Sequence, residues 1–150
     1  MACDVLSGEL RPPGGGISED DYWVLDHQFG PVVLPRFLIL KPKRHCEHIA
    51  ELTADEMASF VRLLPLACQS LTSVLNAAKT YVCSFGESVK HVHFYVVPRY
   101  AVPGRPEMPA NGFDVLRKAF RDRLWVCSDE EAALVAERVR EEMTRAMSRT

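Results

Sequence analysis

The chain has 150 residues, 47% of them apolar and 25% charged, with a formal charge of −2. That length is one domain able to bury about two-thirds of its unfolded surface, and the composition is that of an ordinary globular protein. The small charge excludes a polyanion partner held by bulk electrostatics, so nucleic acid is not expected and any phosphate site must be local. The five cysteines, Cys3, Cys46, Cys68, Cys83 and Cys127, are odd in number and scattered, which argues against a disulfide framework. The start of the chain lacks the basic-then-apolar run of a signal peptide, and no run approaches the ~18 consecutive apolar residues of a membrane span. A cytoplasmic, reduced protein with no membrane partner is the expectation.

In chain order, Arg11 to Gly16 (Arg-Pro-Pro-Gly-Gly-Gly) reads as a loop. Short strands are predicted at Tyr22 to Leu25 and at Arg36 to Lys41, the second closed off by Pro42. Thr53-Ala-Asp-Glu56 is a capping box. It opens a helix from about 54 to 78 whose apolar side is Met57, Phe60, Val61, Leu64, Cys68, Leu71, Val74 and Leu75, with Pro65 expected to kink or split it. A strand at Tyr81 to Phe85, a turn at Gly86-Glu87-Ser88 and a strand at Val89 to Val97 are too close for a parallel crossover and predict a hairpin. Pro103 to Pro109 reads as an extended loop and Phe113 to Phe120 as a short helix. Ser128-Asp-Glu-Glu131 is a second capping box, opening a helix to about Met147 with Leu134, Val135, Val139 and Met143 on its apolar side. No repeat or linker marks a second domain. The layout predicts one α+β domain over 1–150, an antiparallel sheet with a long helix on one face, a core at about 20–100 and a C-terminal helical extension at about 111–148.

The chemistry concentrates in Lys90 to Arg99 (Lys-His-Val-His-Phe-Tyr-Val-Val-Pro-Arg). Period-2 alternation sends His91, His93 and Tyr95 to one face and Val92, Phe94 and Val96 to the other, so the two imidazoles can converge on one small ligand. Three readings stand open from the residues alone. The rings are hydrogen-bonded sheet residues. Alternatively His-x-His supplies two metal ligands, although no third ligand among His45, His48, His27 and the cysteines sits at a diagnostic spacing. Or one imidazole is a nucleophile toward phosphorus. Gly86 and Ser88 just upstream can aim N–H groups and a hydroxyl at an anion, or Gly86 can simply close a hairpin.

Assembled, these residues resemble the histidine triad (HIT) superfamily, whose signature His-φ-His-φ-His-φ-φ (φ apolar) stands here as His91-Val-His93-Phe-Tyr95-Val-Val97. Leu38-Ile-Leu-Lys-Pro-Lys-Arg-His45, the helix start at Glu51 to Glu56 and the Gly86-Glu-Ser-Val89 turn are similar too, so the likeness runs from about 20 to 100. The resemblance implies a nucleotide-binding α+β fold, usually a homodimer, acting on the α-phosphate of nucleotide conjugates such as phosphoramidates or dinucleoside polyphosphates; no cofactor is expected. It implies His93 as the nucleophile of a covalent nucleotidyl-histidine intermediate, His91 as its orienting neighbour, and Ser88 with N–H groups near Gly86 as holders of the non-bridging oxygens. Asp26 takes the place of a residue that hydrogen-bonds ribose hydroxyls, with a solvated strand-end carboxylate as the alternative. His45 falls in the family pattern with a structural role, and His48 and His27 read as surface or loop residues.

Five positions depart from that pattern. Tyr95 replaces the third histidine, and a phenol of pKa ~10 brings no positive charge at neutral pH, which costs on the order of 10² in rate if that charge and proton are needed. Glu87 stands where many members have glutamine, and Arg36-Phe37 replaces the usual Gly-His or Gly-Tyr. Cys3-Asp-Val-Leu6 keeps one sulfur of the Cys-x-x-Cys with which many members bind zinc, so no metal is expected. The alternative to an enzyme is a nucleotide-binding protein with little turnover.

Overall fold

Alternating runs and two capping boxes build an antiparallel sheet with both long helices on one side. The structure is a computed structural model and describes residues 2–29, 36–86, 89–99 and 127–149. In chain order the elements are α1 (Ala2–Leu6), β1 (Gly16–Glu19), β2 (Trp23–His27), β3 (Leu38–Pro42), a 3-10 turn (Ile49–Glu51), α2 (Ala54–Leu75), β4 (Lys79–Cys83), β5 (Phe94–Arg99) and α3 (Asp129–Met147). The strands lie in the order β1-β2-β3-β5-β4, and every neighbouring pair is antiparallel. The expected α+β architecture is the one observed.

Alternation along the strands divides the sheet. Trp23 and Leu25, Leu38 and Leu40, and Phe94 and Val96 form one buried cluster with Leu63, Ala67 and Leu71 of α2 and Val135, Ala136, Val139 and Met143 of α3. Within it the Trp23 ring lies 5.0 Å from Phe60 and 6.1 Å from Phe94, tilted in each case, as aromatic quadrupoles prefer. The opposite face carries a transverse row, Gly16, Asp26, Ile39, Tyr95 and Cys83, each directly opposite the next in the ladder.

Both capping boxes form as predicted, with Thr53 and Ser128 as N-caps. Helix α2 is not split at Pro65. Pro65 lies on the exposed side, where the carbonyl freed by its missing N–H can be hydrated. The predicted stripes are off at one position in each helix. Val61 and Leu134 are exposed (61% and 56%), because the faces toward the sheet are 56-59-63-67-70 and 132-135-136-139-143, led partly by serine and alanine rather than by large residues. The elements α1 and β1, which sequence periodicity does not predict, are short, and β1 begins at a glycine beside a β-bulge. The loop predicted at 103–109 and the helix at 113–120 lie outside the described residues.

Glu56, the third residue of α2, ties three elements together. Arg44, beyond β3, donates to it through Nε and a terminal nitrogen, both at 2.8 Å, and Thr53 N–H donates to Oε2. Its main-chain oxygen accepts Trp23 Nε1–H at 2.8 Å. First the Arg44 hydrogen bonds, then those from Thr53, hold the Glu56 carboxyl down at about 2, against an ordinary 4.5, despite its burial. The folded chain therefore takes up this proton later than the unfolded chain, and the stabilisation is complete above pH 4.5 and lost as the pH falls to about 2. Glu56→Gln is expected to flatten that segment of the melting-temperature curve and to cost about 1–2 kcal/mol at pH 7 through the weakened cap. A variant whose acid limb between pH 4.5 and 2 matches the wild type would refute this.

Candidate active site and metal ligands

The strand predicted from Val89 begins only at Phe94, so His91 and His93 sit in the connection that leads into β5. The reason is where the backbone bonds go. Val92 N–H donates to the Cys46 carbonyl at 2.8 Å, outside the sheet ladder. His91 Nε2–H donates to the Pro42 carbonyl at 2.8 Å, and His93 Nδ1–H donates to the main-chain oxygen of His91, also at 2.8 Å. Carbonyl oxygens only accept, so both tautomers follow from these bonds.

The consequences for the two rings differ. His93 is buried (6%) and leaves its Nε2 lone pair uncommitted by these bonds. His91 is buried (2%) and leaves its Nδ1 lone pair 3.4 Å from the Cys3 sulfur. The two imidazoles thus do not converge on one ligand as strand alternation predicts. His91 instead orients His93 through its main-chain oxygen. Burial pushes the His91 pKa below its ordinary 6.5, with the Pro42 hydrogen bond opposing, so His91 is neutral at pH 7.

Tyr95 does share a face with His93. Their rings stand 5.0 Å apart in an edge arrangement, and Phe85 lies 6.1 Å from Tyr95 on the other side. Burial, then the neighbouring Cys83, pushes the half-buried phenol above its ordinary 10, so it stays neutral at any physiological pH. Gly86 is exposed with φ 68°, a left-handed conformation natural to glycine, and a Cβ there would meet nothing within 4 Å. Its need is therefore conformational. Glu87 and Ser88 lie outside the described residues.

Asp26 is not a solvated strand-end carboxylate. It is fully buried, and its Oδ2 accepts from the equally buried Lys41 Nζ. Val5, Leu6, Leu10, Val24, Asp26 and Lys43 are among the residues lining a cavity of about 640 Å³ between α1, the loop after it and the first two strands. That is the size of small-ligand sites in general. Asp26 and Tyr95 belong to the same transverse row two strands apart, about 10 Å at ordinary strand spacing.

His27 is a buried core residue where a surface or loop role is expected. Its Nδ1–H donates to the Gln28 carbonyl at 2.7 Å and its Nε2 accepts Arg36 N–H at 3.1 Å, so the ring bridges the two ends of the β2–β3 connection. Burial lowers its pKa, as a satisfied neutral ring requires. His48 is exposed, as expected.

The His91/His93 pair considered as metal ligands is not completed by the fold, which gathers a different donor set that keeps only His91. Cys3, His45 and His91 bring one donor atom each within 4.8 Å of one another, and Cys3 Sγ is 3.4 Å from both Nδ1 atoms. The His91 tautomer turns a lone pair toward this point, and its Nε2–H is held by a carbonyl, the usual supporting bond of a ligating histidine. One thiolate and two imidazoles suit zinc. Leu6, one turn from Cys3, contributes no donor, so a tetrahedral ion would take its fourth ligand from water or elsewhere. The trio is illegible in sequence because its members are 42 and 88 residues apart.

The chain and its fold are similar to those of known proteins. An uncharacterized HIT-like protein of Methanocaldococcus jannaschii is 26% identical over 106 residues, covering 68% of this chain and 80% of that one. A zinc-bound histidine triad family protein from Mycobacterium smegmatis superposes with a TM-score of 0.71 at 15% identity, covering 99% of this chain and 96% of that one. The diadenosine triphosphate hydrolase of Plasmodium falciparum superposes with a TM-score of 0.62 at 16% identity, covering 87% and 76%. At such identities these two structures establish a shared fold. Residues 13–102, well over half of the chain, match the HIT domain, and the protein belongs to the HIT domain family.

Proposed function

We propose that the chain is a nucleotide-binding hydrolase or nucleotidyl transferase acting at the α-phosphate of nucleotide conjugates, with His93 as its nucleophile. One observation carries the reading: a buried histidine at the entry to β5 whose Nδ1–H is committed to the His91 carbonyl, leaving Nε2 as the ring nitrogen with a lone pair; a ligand-sized cavity lined by Asp26 lies further along the sheet. The activity named for the Plasmodium structure belongs to the same substrate class and supports the reading.

The Nε2 lone pair attacks the α-phosphorus, and the bond to the leaving group breaks with its electron pair going to that group. Water or another acceptor then attacks phosphorus, the P–N bond returns its pair to the imidazole, and the nucleotide is released. His91 keeps the attacking tautomer through its carbonyl. Backbone N–H groups near Gly86, with Ser88, hold the oxygens on which charge builds. Asp26 and the cavity receive the nucleoside. Cys3, His45 and His91 would hold a zinc ion, which when bound supplies a cross-link between α1, the segment after β3 and the histidine that aims the nucleophile.

Tyr95 favours a second reading, a nucleotide-binding protein of low turnover. The phenol 5.0 Å from the His93 ring brings hydrogen-bonding capacity and no charge.

With adenosine phosphoramidate and diadenosine polyphosphates, the wild type is expected to release nucleotide, and a transient mass gain of one nucleotidyl group should be found on the protein. His93→Ala should lower turnover by at least about 10³-fold, as loss of a covalent nucleophile does. Turnover that persists in this variant rules out the nucleophile assignment. Tyr95→His is expected to raise kcat about tenfold or more; nucleotide binding without turnover in both proteins would select the binding reading. Zinc at a hundred times its Kd is expected to stabilise the wild type by about 2.7 kcal/mol and Cys3→Ser hardly at all. Equal melting shifts in the two proteins would remove the trio as the metal site.

A further inference from the structure

The Asp26–Lys41 pair is an expensive thing to bury. Each ion loses several kcal/mol of hydration on leaving water, and a carboxylate oxygen left without a donor adds to that. Yet Asp26 Oδ1 is buried and finds no hydrogen-bond partner among the described residues, while Oδ2 takes the Lys41 ammonium. The side chains are 2% and 1% exposed. In the ladder, Val24 faces Lys41 and Asp26 faces Ile39, so lysine and aspartate are diagonal neighbours on the face away from the helices. Asp26 belongs to the wall of the 640 Å³ cavity, and Lys41 is absent from the residues that line it.

A pair serving stability alone would satisfy both oxygens. Here one oxygen is satisfied and held, and the other has no donor among the described residues, in a side chain that belongs to the cavity wall. An acceptor of that kind is matched by an O–H donor, and the nucleotide assigned to this face carries hydroxyls on its sugar. The lysine has two effects on it. It fixes the rotation of the carboxylate, so that Oδ1 has one orientation. It also opposes the desolvation that pushes the Asp26 carboxyl above its ordinary 3.8, and so favours the ionised form, the stronger acceptor.

We infer that Lys41 is a positioning residue for sugar recognition: it holds Asp26 through Oδ2 so that Oδ1 accepts a hydroxyl of a nucleotide's ribose in the cavity beside α1. The inference rests on the nucleotide reading of the preceding subsection. It adds a residue that touches neither the ligand nor the reacting atoms.

The test compares each ribonucleoside 5′-monophosphate with its 2′,3′-dideoxy form by calorimetry, using the full chain. Removing the hydroxyls is expected to weaken wild-type binding about 10- to 100-fold, the size of one hydrogen bond to a charged acceptor. Lys41→Met and Lys41→Gln should each bind the dideoxy form like the wild type, within about threefold, and lose most of the preference for ribose. The glutamine variant carries a neutral donor that ends one bond short of the lysine nitrogen, so it cannot hold Oδ2 as the ammonium does, yet it remains informative if the methionine variant leaves too lonely a carboxylate to fold. Asp26→Asn/Lys41→Met, which removes both charges together, should fold and show no ribose preference.

The outcomes separate cleanly. If the wild type binds none of the four monophosphates, the nucleotide reading fails and this inference with it. Nucleotide binding with no difference between ribose and dideoxyribose leaves that reading standing and overturns the inference. A ribose preference that survives both Lys41 variants removes lysine from the role. Equal weakening of ribose and dideoxy forms would show that Lys41 supports the fold only, which also overturns it.

Discussion

The segment from Pro42 to Cys46 is the constraint on which the site depends. The bidentate grip of Arg44 on Glu56 fastens it to the first turn of α2, and Glu56 in turn accepts the Trp23 indole through its main-chain oxygen. Held this way, the segment presents three groups to the strand entry opposite: the Pro42 carbonyl to His91 Nε2–H, the Cys46 carbonyl to Val92 N–H, and the His45 ring edge-on to His91 at 5.2 Å. His91 then holds His93. The His93 tautomer is therefore two hydrogen bonds removed from β3 and four from the core tryptophan. A change at Arg44 can reach the His93 ring by this path.

The two faces of the sheet are built to opposite rules. Toward the helices, tryptophan, leucine, phenylalanine and valine fill space at the density of a protein interior, and the stabilisation is that of apolar burial. On the other face the buried groups include a carboxylate and an ammonium, beside a half-buried phenol, and burying such groups opposes folding unless each finds a partner. Apolar packing on one side sustains polar placement on the other. The left-handed Arg36 (φ 67°), whose N–H is taken by buried His27, belongs to the same pattern of local cost held in place by surrounding contacts.

What was legible in the sequence is what short-range pattern encodes. The capping boxes at Thr53 and Ser128, the runs that become β2 and β3, and the β4–β5 hairpin all follow from periodicity of two or about four residues and from one side chain bonding a backbone group three residues on. Long-range convergence left no such trace. Nothing within a window of ten residues around Cys3 tells that it meets His45 and His91, or that Lys41 lies diagonally across from Asp26. The strand predicted at Val89 fails for the same reason. Alternation there is real, but Val92 N–H has a better partner in Cys46, distant in sequence, than in the neighbouring strand. In the helices the error is of another kind, since buried Ser59, Ser70, Ala132 and Ala136 make a face that hydrophobicity alone does not mark. Small residues are buried where helix and sheet come close, and large apolar ones such as Leu134 can then be left outside.

Tyr95 bears on which leaving groups the pocket can serve. A phenol pushed above its ordinary 10 by burial is a weak acid, and it adds no field to hold developing negative charge. An amine expelled from a phosphoramidate must gain a proton before or as it departs, so that reaction suffers most where a phenol stands in place of an imidazolium. A phosphate or polyphosphate expelled from an anhydride leaves as a stable anion and asks little of a proton donor. On the nucleotide reading, the arrangement around His93 therefore suits anhydrides over amidates, by the chemistry of the leaving group and not by any contact with it.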